Sequence, residues 1–559
     1  MSAQSEGIRK RFVTVNGRLV HFRTAGSGPP VVLLHDSPHS SRLHLPLIGA
    51  LSDRFTVIAF DTPGYGGSEP LHGNPLRIGD FAIALKAALD ALGVPRAGFY
   101  GFHTSSKIVM DFAIRFPEAV NVAIMDGLSL PEGGPDPMFI SRYMRPFQID
   151  ADGEFIGREW TRVRDTLRWF PWFDHRPATR GYARPAPTPE HVHNDFLDFF
   201  QAGSNYIDAY EAAMSYVAAP RLSRVTAPTV IMARSNDVLY SYLDKLPDDL
   251  PPNCTVERLG PDRDAWAARI GALFSEHARD AAPAMLGVGT DGDSAYLDLA
   301  HGQLRIRRYG PRSGRPIIYL PELPGGAAAA EDFLQELGDS RSVVALDLPG
   351  YGESDALPAA SAEAFVDVIE AAIRHLSDGP VDLIAEGTAT PLALRLMAAR
   401  PDLVRRAVLD AVLLPDADAR AELQRNYCPS LAFEFSGAHV HRGWHMLRDQ
   451  EAQWPWYDLA GSAARKFPGR LEALPLYRRL LDVLAQPGHY GDAVNAAFSC
   501  DGRADLATID IPLLITQSDD PRDQWAALAA REGAAVSVVS RVPDLPRRAV
   551  SYLDFLSEG

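Results

Sequence analysis

The chain repeats itself, and that repeat constrains its fold more than any other feature. Phe60-Asp61-Thr62-Pro63-Gly64-Tyr65-Gly66-Gly67-Ser68 returns as Leu346-Asp347-Leu348-Pro349-Gly350-Tyr351-Gly352-Glu353-Ser354, a shift of 286 residues. Met125-Asp126 returns as Leu409-Asp410, and Pro171-Trp172-Phe173-Asp174 as Pro455-Trp456-Tyr457-Asp458, both shifted by 284. Trp160 and Trp444 keep the same register. A period near 280 residues is far too long for a solenoid and predicts tandem domains. The length of 559 residues alone would suggest three or four domains at about 100–200 residues each. The repeat reduces that to two, residues 1–280 and 281–559, joined through the Gly-rich stretch 287–293.

Hydrophobic residues make up 46% and charged residues 23% of the chain, enough apolar material for large cores without disulfide staples. The 71 acids against 55 bases give a net charge of −16. No basic block appears, so a nucleic-acid partner is disfavoured. Cys254, Cys428 and Cys500 are far apart and lack metal-ligand spacing. Met1 to Ser5 leads into Arg9-Lys10-Arg11 with no apolar segment behind it, and no run of 18 apolar residues occurs. The expectation is a cytoplasmic protein with no membrane partner, no metal and no cofactor.

Short apolar runs alternate with helical patterns. In the first copy the runs are Pro30–Leu34, Thr56–Phe60, Ala97–Gly101, Val122–Met125 and Thr229–Met232. Phe81–Leu92 and Lys107–Phe116 read as helices between them. This is the pattern of an α/β fold with a mostly parallel sheet flanked by helices. Residues 131–224 and 415–508 break the rhythm. They are aromatic and helical in pattern, so they read as caps inserted after the sixth strand of each copy.

Four features together resemble the α/β-hydrolase superfamily, in its cap-containing epoxide-hydrolase and haloalkane-dehalogenase form. They are His35-Asp36-Ser37-Pro38 after one strand, Asp61-Thr62-Pro63-Gly64-Tyr65-Gly66 after the next, the strand–turn–helix Gly101-Phe102-His103-Thr104-Ser105, and Ala233-Arg234-Ser235-Asn236-Asp237 after a later strand. The resemblance implies two tandem α/β-hydrolase domains. It also implies a nucleophile at the sharp strand-to-helix turn. His103 occupies that position in the first copy and Gly387 in the second. Both suit a backbone at positive φ.

The rest of the family's machinery is incomplete. Asp237 matches the family's late-strand acid, and Asp126 its alternative place. In the second copy Asp519 or Asp520 comes nearest. No His follows the last strand near Leu259–Arg263, nor near Arg541–Asp544, so neither copy can assemble a Ser–His–Asp relay. The family's His-Gly-x-Pro oxyanion segment becomes His35-Asp36-Ser37-Pro38 and Pro321-Glu322-Leu323-Pro324, an acid replacing Gly in each.

The resemblance leads to one functional expectation. The first domain is expected to carry out cofactor-independent hydrolysis, or lyase- or isomerase-type acid/base chemistry, on a small apolar carbonyl compound. His103 would be catalytic, with Asp237 or Asp126 orienting it. A helix N-terminus at Thr104 is expected to hold the imidazole neutral. Ser37 and Thr104 would offer backbone amides to an oxyanion, beside His35. Trp160 and Trp172 would roof the pocket. The competing expectation is a tandem pseudo-hydrolase that binds a ligand or a partner protein without turnover. On either expectation the two domains pair within the chain, and a homodimer is the further partner allowed for.

Overall fold

Two sets of short apolar strands, buried on both faces, set the architecture. The computed structural model describes residues 7–131, 135–181, 186–466, 471–532 and 535–558. Met1 to Ser5 lie outside them. The chain divides into two compact units. The first comprises residues 1–148 and 158–292, and the second residues 149–157 and 293–559.

In the first unit the strands are β1 (Arg9–Val15), β2 (Arg18–Ala25), β3 (Pro30–Leu34), β4 (Thr56–Phe60), β5 (Ala97–Phe102), β6 (Val120–Asp126), β7 (Thr229–Arg234) and β8 (Cys254–Leu259). Their order in the sheet is β1-β2-β4-β3-β5-β6-β7-β8. From β4 to β8 every pairing is parallel, while β1–β2 and β2–β4 are antiparallel. All residues of β3, β4 and β6 are buried, which is why these strands read as continuous apolar runs rather than as alternation.

Alternate strand residues point to opposite faces. Val31, Leu33, Val57, Ala59, Val122 and Ile124 pack with Leu47, Ile48, Leu51, Leu273 and Phe274 on one face. On the other, the Phe99 ring lies 4.6 Å from Phe112 of the helix Thr104–Arg115. Each fully buried side chain of this size contributes about 1.5–3 kcal/mol.

The second unit has β9 (Ser294–Leu299), β10 (Gly302–Tyr309), β11 (Ile317–Leu320), β12 (Val343–Asp347), β13 (Val381–Glu386), β14 (Val404–Asp410), β15 (Leu513–Gln517) and β16 (Val536–Ser540). Its order is β9-β10-β12-β11-β13-β14-β15-β16, term by term that of the first. Strands β13, β14 and β15 begin at 381, 404 and 513, each 284 residues after β5, β6 and β7 at 97, 120 and 229. In both units the long helical insertion follows the sixth strand. The division between units falls at Gly292–Asp293, within the Gly-rich stretch 287–293, and β9 begins at Ser294 directly after it. Residues 149–157, expected in the first cap, count with the second unit. There the Phe155 ring lies 5.3 Å from Trp444 and 5.9 Å from Tyr477. Among the described residues no helix is long and apolar enough to cross a membrane.

Strand order reverses around β3. The chain moves from β3 to β4 on one side and then crosses back to β5 on the other. In open parallel sheets, that switch at the carboxyl ends of the strands opens a crevice. The loops after β3 and β5 border it, and they carry Asp36, Ser37 and His103.

Candidate active site in the first unit

His103 joins β5 to the helix Thr104–Arg115 with φ 48° and ψ −105°, the left-handed turn that the sequence pattern predicts. Its amide donates to the Asp126 carbonyl at 2.9 Å, tying the turn to the end of β6. Gly127, itself at φ 65°, leaves room for the imidazole, because a Cβ there would fall on the His103 ring. The hydroxyls beyond the turn serve the backbone: Ser105 donates to the His35 carbonyl and Ser106 to the His103 carbonyl.

The ring is held between carboxylates. His103 Nε2 lies 2.9 and 3.0 Å from the two oxygens of Asp237, whose loop is fixed by the Leu239 amide donating to Oδ1 at 2.8 Å. Nδ1 faces Asp36 Oδ2 at 3.7 Å. Burial opposes a charge on the ring. The Asp237 carboxylate, with Asp36 and Asp126 behind it, outweighs that, and the net shift is upward from 6.5. Asp237 is likewise buried, yet His103 beside it holds its carboxyl below the ordinary value. The expected direction, a His103 pKa lowered by the helix N-terminus, is therefore corrected to a raised one. A helix N-terminus contributes about 0.3–1 kcal/mol, and a carboxylate in hydrogen-bond contact outweighs it.

The alternation continues away from the ring. Asp36 Oδ1 lies 2.7 Å from His39 Nδ1, His39 Nε2 lies 3.3 Å from Asp195, and Asp195 lies 3.4 Å from the half-exposed His191. Burial lowers the His39 pKa, but Asp36 and Asp195 override it and raise the value well above 6.5.

Asp36, Ser37, His103, Thr104 and Lys107 border a cavity of about 390 Å³, with Phe139, Phe170, Tyr210 and Tyr242 among its aromatic wall. Ser37 and Thr104 thus stand where the sequence puts them. Four other expectations are corrected. Asp126 does not orient the ring: Oδ2 accepts from Tyr100 and from Trp266, both at 2.8 Å, and Oδ1 has no hydrogen-bond partner. His35 spends both nitrogens on backbone, Nδ1 donating to the Asp36 carbonyl at 2.7 Å and Nε2 accepting from the Thr62 amide at 2.9 Å. Burial then lowers its pKa. Trp160 is core, its ring 5.0 Å from Phe196. Trp172 donates to the Tyr143 carbonyl at 3.3 Å and sits under Arg145 and Arg162, inside the cap.

Sequence reasoning missed Lys107 and Tyr210, whereas Phe170, one of the cap aromatics read from the sequence, does line the cavity. Lys107 lies in the first turn of the helix that starts at Thr104, directly after the elbow, and that signal was available. Tyr210 pairs with Tyr143 hydroxyl to hydroxyl at 2.9 Å. Only the folded cap brings it to the cavity.

The equivalent place in the second unit is filled. Gly387 has φ 45°, and a Cβ there would land on the Arg522–Glu322 ion pair. The Thr388 amide, counterpart of Thr104, donates to Glu322 Oε1 at 3.1 Å. Arg522 lies over the Trp454 ring at 5.5 Å. Burial raises the Glu322 carboxyl, and Arg522 more than reverses that. Asp520 is engaged elsewhere, with Arg465 at 3.1 Å.

Among curated proteins, the chain is 34% identical over 135 residues to Bifunctional epoxide hydrolase 2 of Mus musculus, covering 22% of this chain and 23% of that protein. It is 32% identical over 114 residues to Haloalkane dehalogenase 2 of Mycobacterium tuberculosis, covering 20% and 40%. The chain spans between 23% and 48% of the length of such curated relatives. Among solved structures, an epoxide hydrolase from Vigna radiata aligns at 21% identity and a TM-score of 0.39, over 48% of this chain and 97% of that one. The family model described as alpha/beta hydrolase fold matches residues 29–248 and 315–473, more than half of the sequence. The chain belongs to the alpha/beta hydrolase fold family.

Proposed function

We propose that the first unit is a cofactor-independent acid/base enzyme acting on a small, largely apolar carbonyl compound, with His103 catalytic and Asp237 positioning it. The observation that supports this most is the His103–Asp237 contact of 2.9 Å at the edge of an aromatic-walled cavity. Asp237 fixes Nε2, so Nδ1 is the nitrogen left for substrate. Protonated, Nδ1–H donates to a carbonyl oxygen. Deprotonated, it accepts a proton from water or from a carbon next to the carbonyl. The amides of Ser37 and Thr104 would steady an oxyanion, against the charge of Asp36. Relatives named epoxide hydrolase and haloalkane dehalogenase support a hydrolytic outcome. The absence of a Ser nucleophile argues against a long-lived acyl-enzyme.

The test is turnover of a panel of aryl esters, lactones and epoxides by the protein and by His103→Ala. His103-dependent turnover is expected. If water activation is the chemistry, the rate rises with pH through the His103 pKa, above 6.5. If proton donation is the chemistry, it falls over the same range.

A second reading is favoured by one observation: the elbow side chain of the second unit is gone and its place is filled by Arg522 and Glu322. On that reading the second unit is non-catalytic and the whole chain binds a ligand without turnover. Absence of turnover across the panel, with ligand-induced thermal stabilisation of the protein, would favour it.

A further inference from the structure

We propose that Lys107 is a second reactive group of the first unit's cavity, an amine that captures the aldehyde or ketone group of a ligand as an imine. The inference rests on the reading of that cavity as the ligand site and names the carbonyl class it would take.

The chain's use of cations points to this residue. Its 55 basic residues include only five lysines: Lys10, Lys86, Lys107, Lys245 and Lys466. Among the described residues the buried cations are Arg23, Arg162, Arg479, Arg522, Arg548 and Lys107. Each of those arginines has a carboxylate within 4.0 Å: Asp61, Glu159, Glu451, Glu322 and Asp410. Lys107, 2% exposed, has instead the Ala213 carbonyl, which accepts from Nζ at 2.8 Å. An ammonium has three donors, so this contact leaves two. Arginine stays charged in any surroundings, whereas lysine loses its proton when buried without a counter-charge. Burial pulls the Lys107 ammonium down to about 8. Lys107 also borders the cavity, as His103 does, from the first turn of the helix that follows the elbow. A desolvated amine beside an apolar pocket is a nucleophile toward carbonyl carbon.

The step balances without a co-reactant. The Nζ lone pair attacks the carbonyl carbon, and the C=O π pair moves to oxygen. A proton passes from nitrogen to oxygen to give the carbinolamine. A second nitrogen proton leaves with the oxygen as water, and the C=N bond forms.

Trapping tests it. The full-length protein is incubated with cinnamaldehyde, or with a matched aromatic ketone, and sodium cyanoborohydride at about pH 7.5. There a pKa near 8 gives on the order of 100-fold more free amine than an ordinary lysine. Peptide mapping by mass spectrometry should place the alkyl group on Lys107 ahead of the other four lysines. It should be lost in Lys107→Arg and retained in His103→Ala, with thermal unfolding confirming that both variants fold. Label spread over the exposed lysines, or an unmodified Lys107, overturns the proposal. Turnover that depends on His103 alongside an unmodified Lys107 would overturn the imine and leave the proposed function standing. Trapping at Lys107 without any turnover would do the reverse.

Discussion

At His103, backbone and side chain answer to different forces. The left-handed turn is steric, and it asks only for a residue that tolerates positive φ. The ring's charge is electrostatic, and Asp237 sets it. A His whose folded pKa is raised contributes stability below its unfolded value of about 6.5 and loses it as pH rises through the folded pKa. Asp237→Asn should therefore lower the His103 pKa, read by NMR titration of the ring. It should destabilise the protein most near pH 6, and less at alkaline pH, in thermal unfolding. Lys107 has the opposite sign. Its folded pKa, about 8, lies below the unfolded value, so its burial costs stability at pH 7. Lys107→Met should stabilise the protein by up to about 3 kcal/mol at neutral pH, with the gain fading between about pH 8 and 10.5. Urea unfolding at pH 7 and pH 10.5 measures it. A gain that did not shrink with pH would point to packing instead.

At the scale of elements, turns position the chemistry more than strands do. Gly127 shows this: its positive φ and missing side chain make the space that the His103 ring occupies. Gly127→Ala should cost about 1–2 kcal/mol for the left-handed backbone and displace the ring from Asp237. The expected result is a fall in His103-dependent turnover and in the ring's pKa, greater than the loss of stability alone explains. The central strands were legible because burial on both faces leaves long apolar runs. Pro30–Leu34 and Thr56–Phe60 match their observed bounds. The β1–β2 hairpin was not, since its outer face mixes Arg, Lys and Thr with apolar residues. The site was legible where motif spacing fixes the backbone, at Ser37, His103, Thr104 and Asp237. It was not legible where pairing depends on the fold. Nothing near Asp126 in sequence announces that Tyr100 and Trp266 will claim its carboxylate, and nothing near Trp172 announces that its indole will donate to the Tyr143 carbonyl while Phe170 lines the cavity.

For the whole molecule, the two sheets match in strand order but the two elbow positions do not match in what surrounds them. One borders an open cavity and the other is packed with an ion pair. Calorimetric titration with any carbonyl ligand should therefore return one binding site per chain. A stoichiometry of two would contradict the filled state of the second unit. The pair at Glu322 and Arg522 has a further consequence. The Glu322 carboxylate accepts from the Thr388 amide at the place corresponding to the first unit's Thr104, so a tethered carboxylate takes the position that a ligand oxygen would need. A tethered group competes at an effective concentration that a free ligand cannot easily match. Displacing it would also break its ion pair with Arg522 and leave that buried guanidinium without its partner carboxylate. The elbow position of the second unit is thus occupied by the chain's own side chains, and emptying it would take removal of both, Glu322→Ala together with Arg522→Ala.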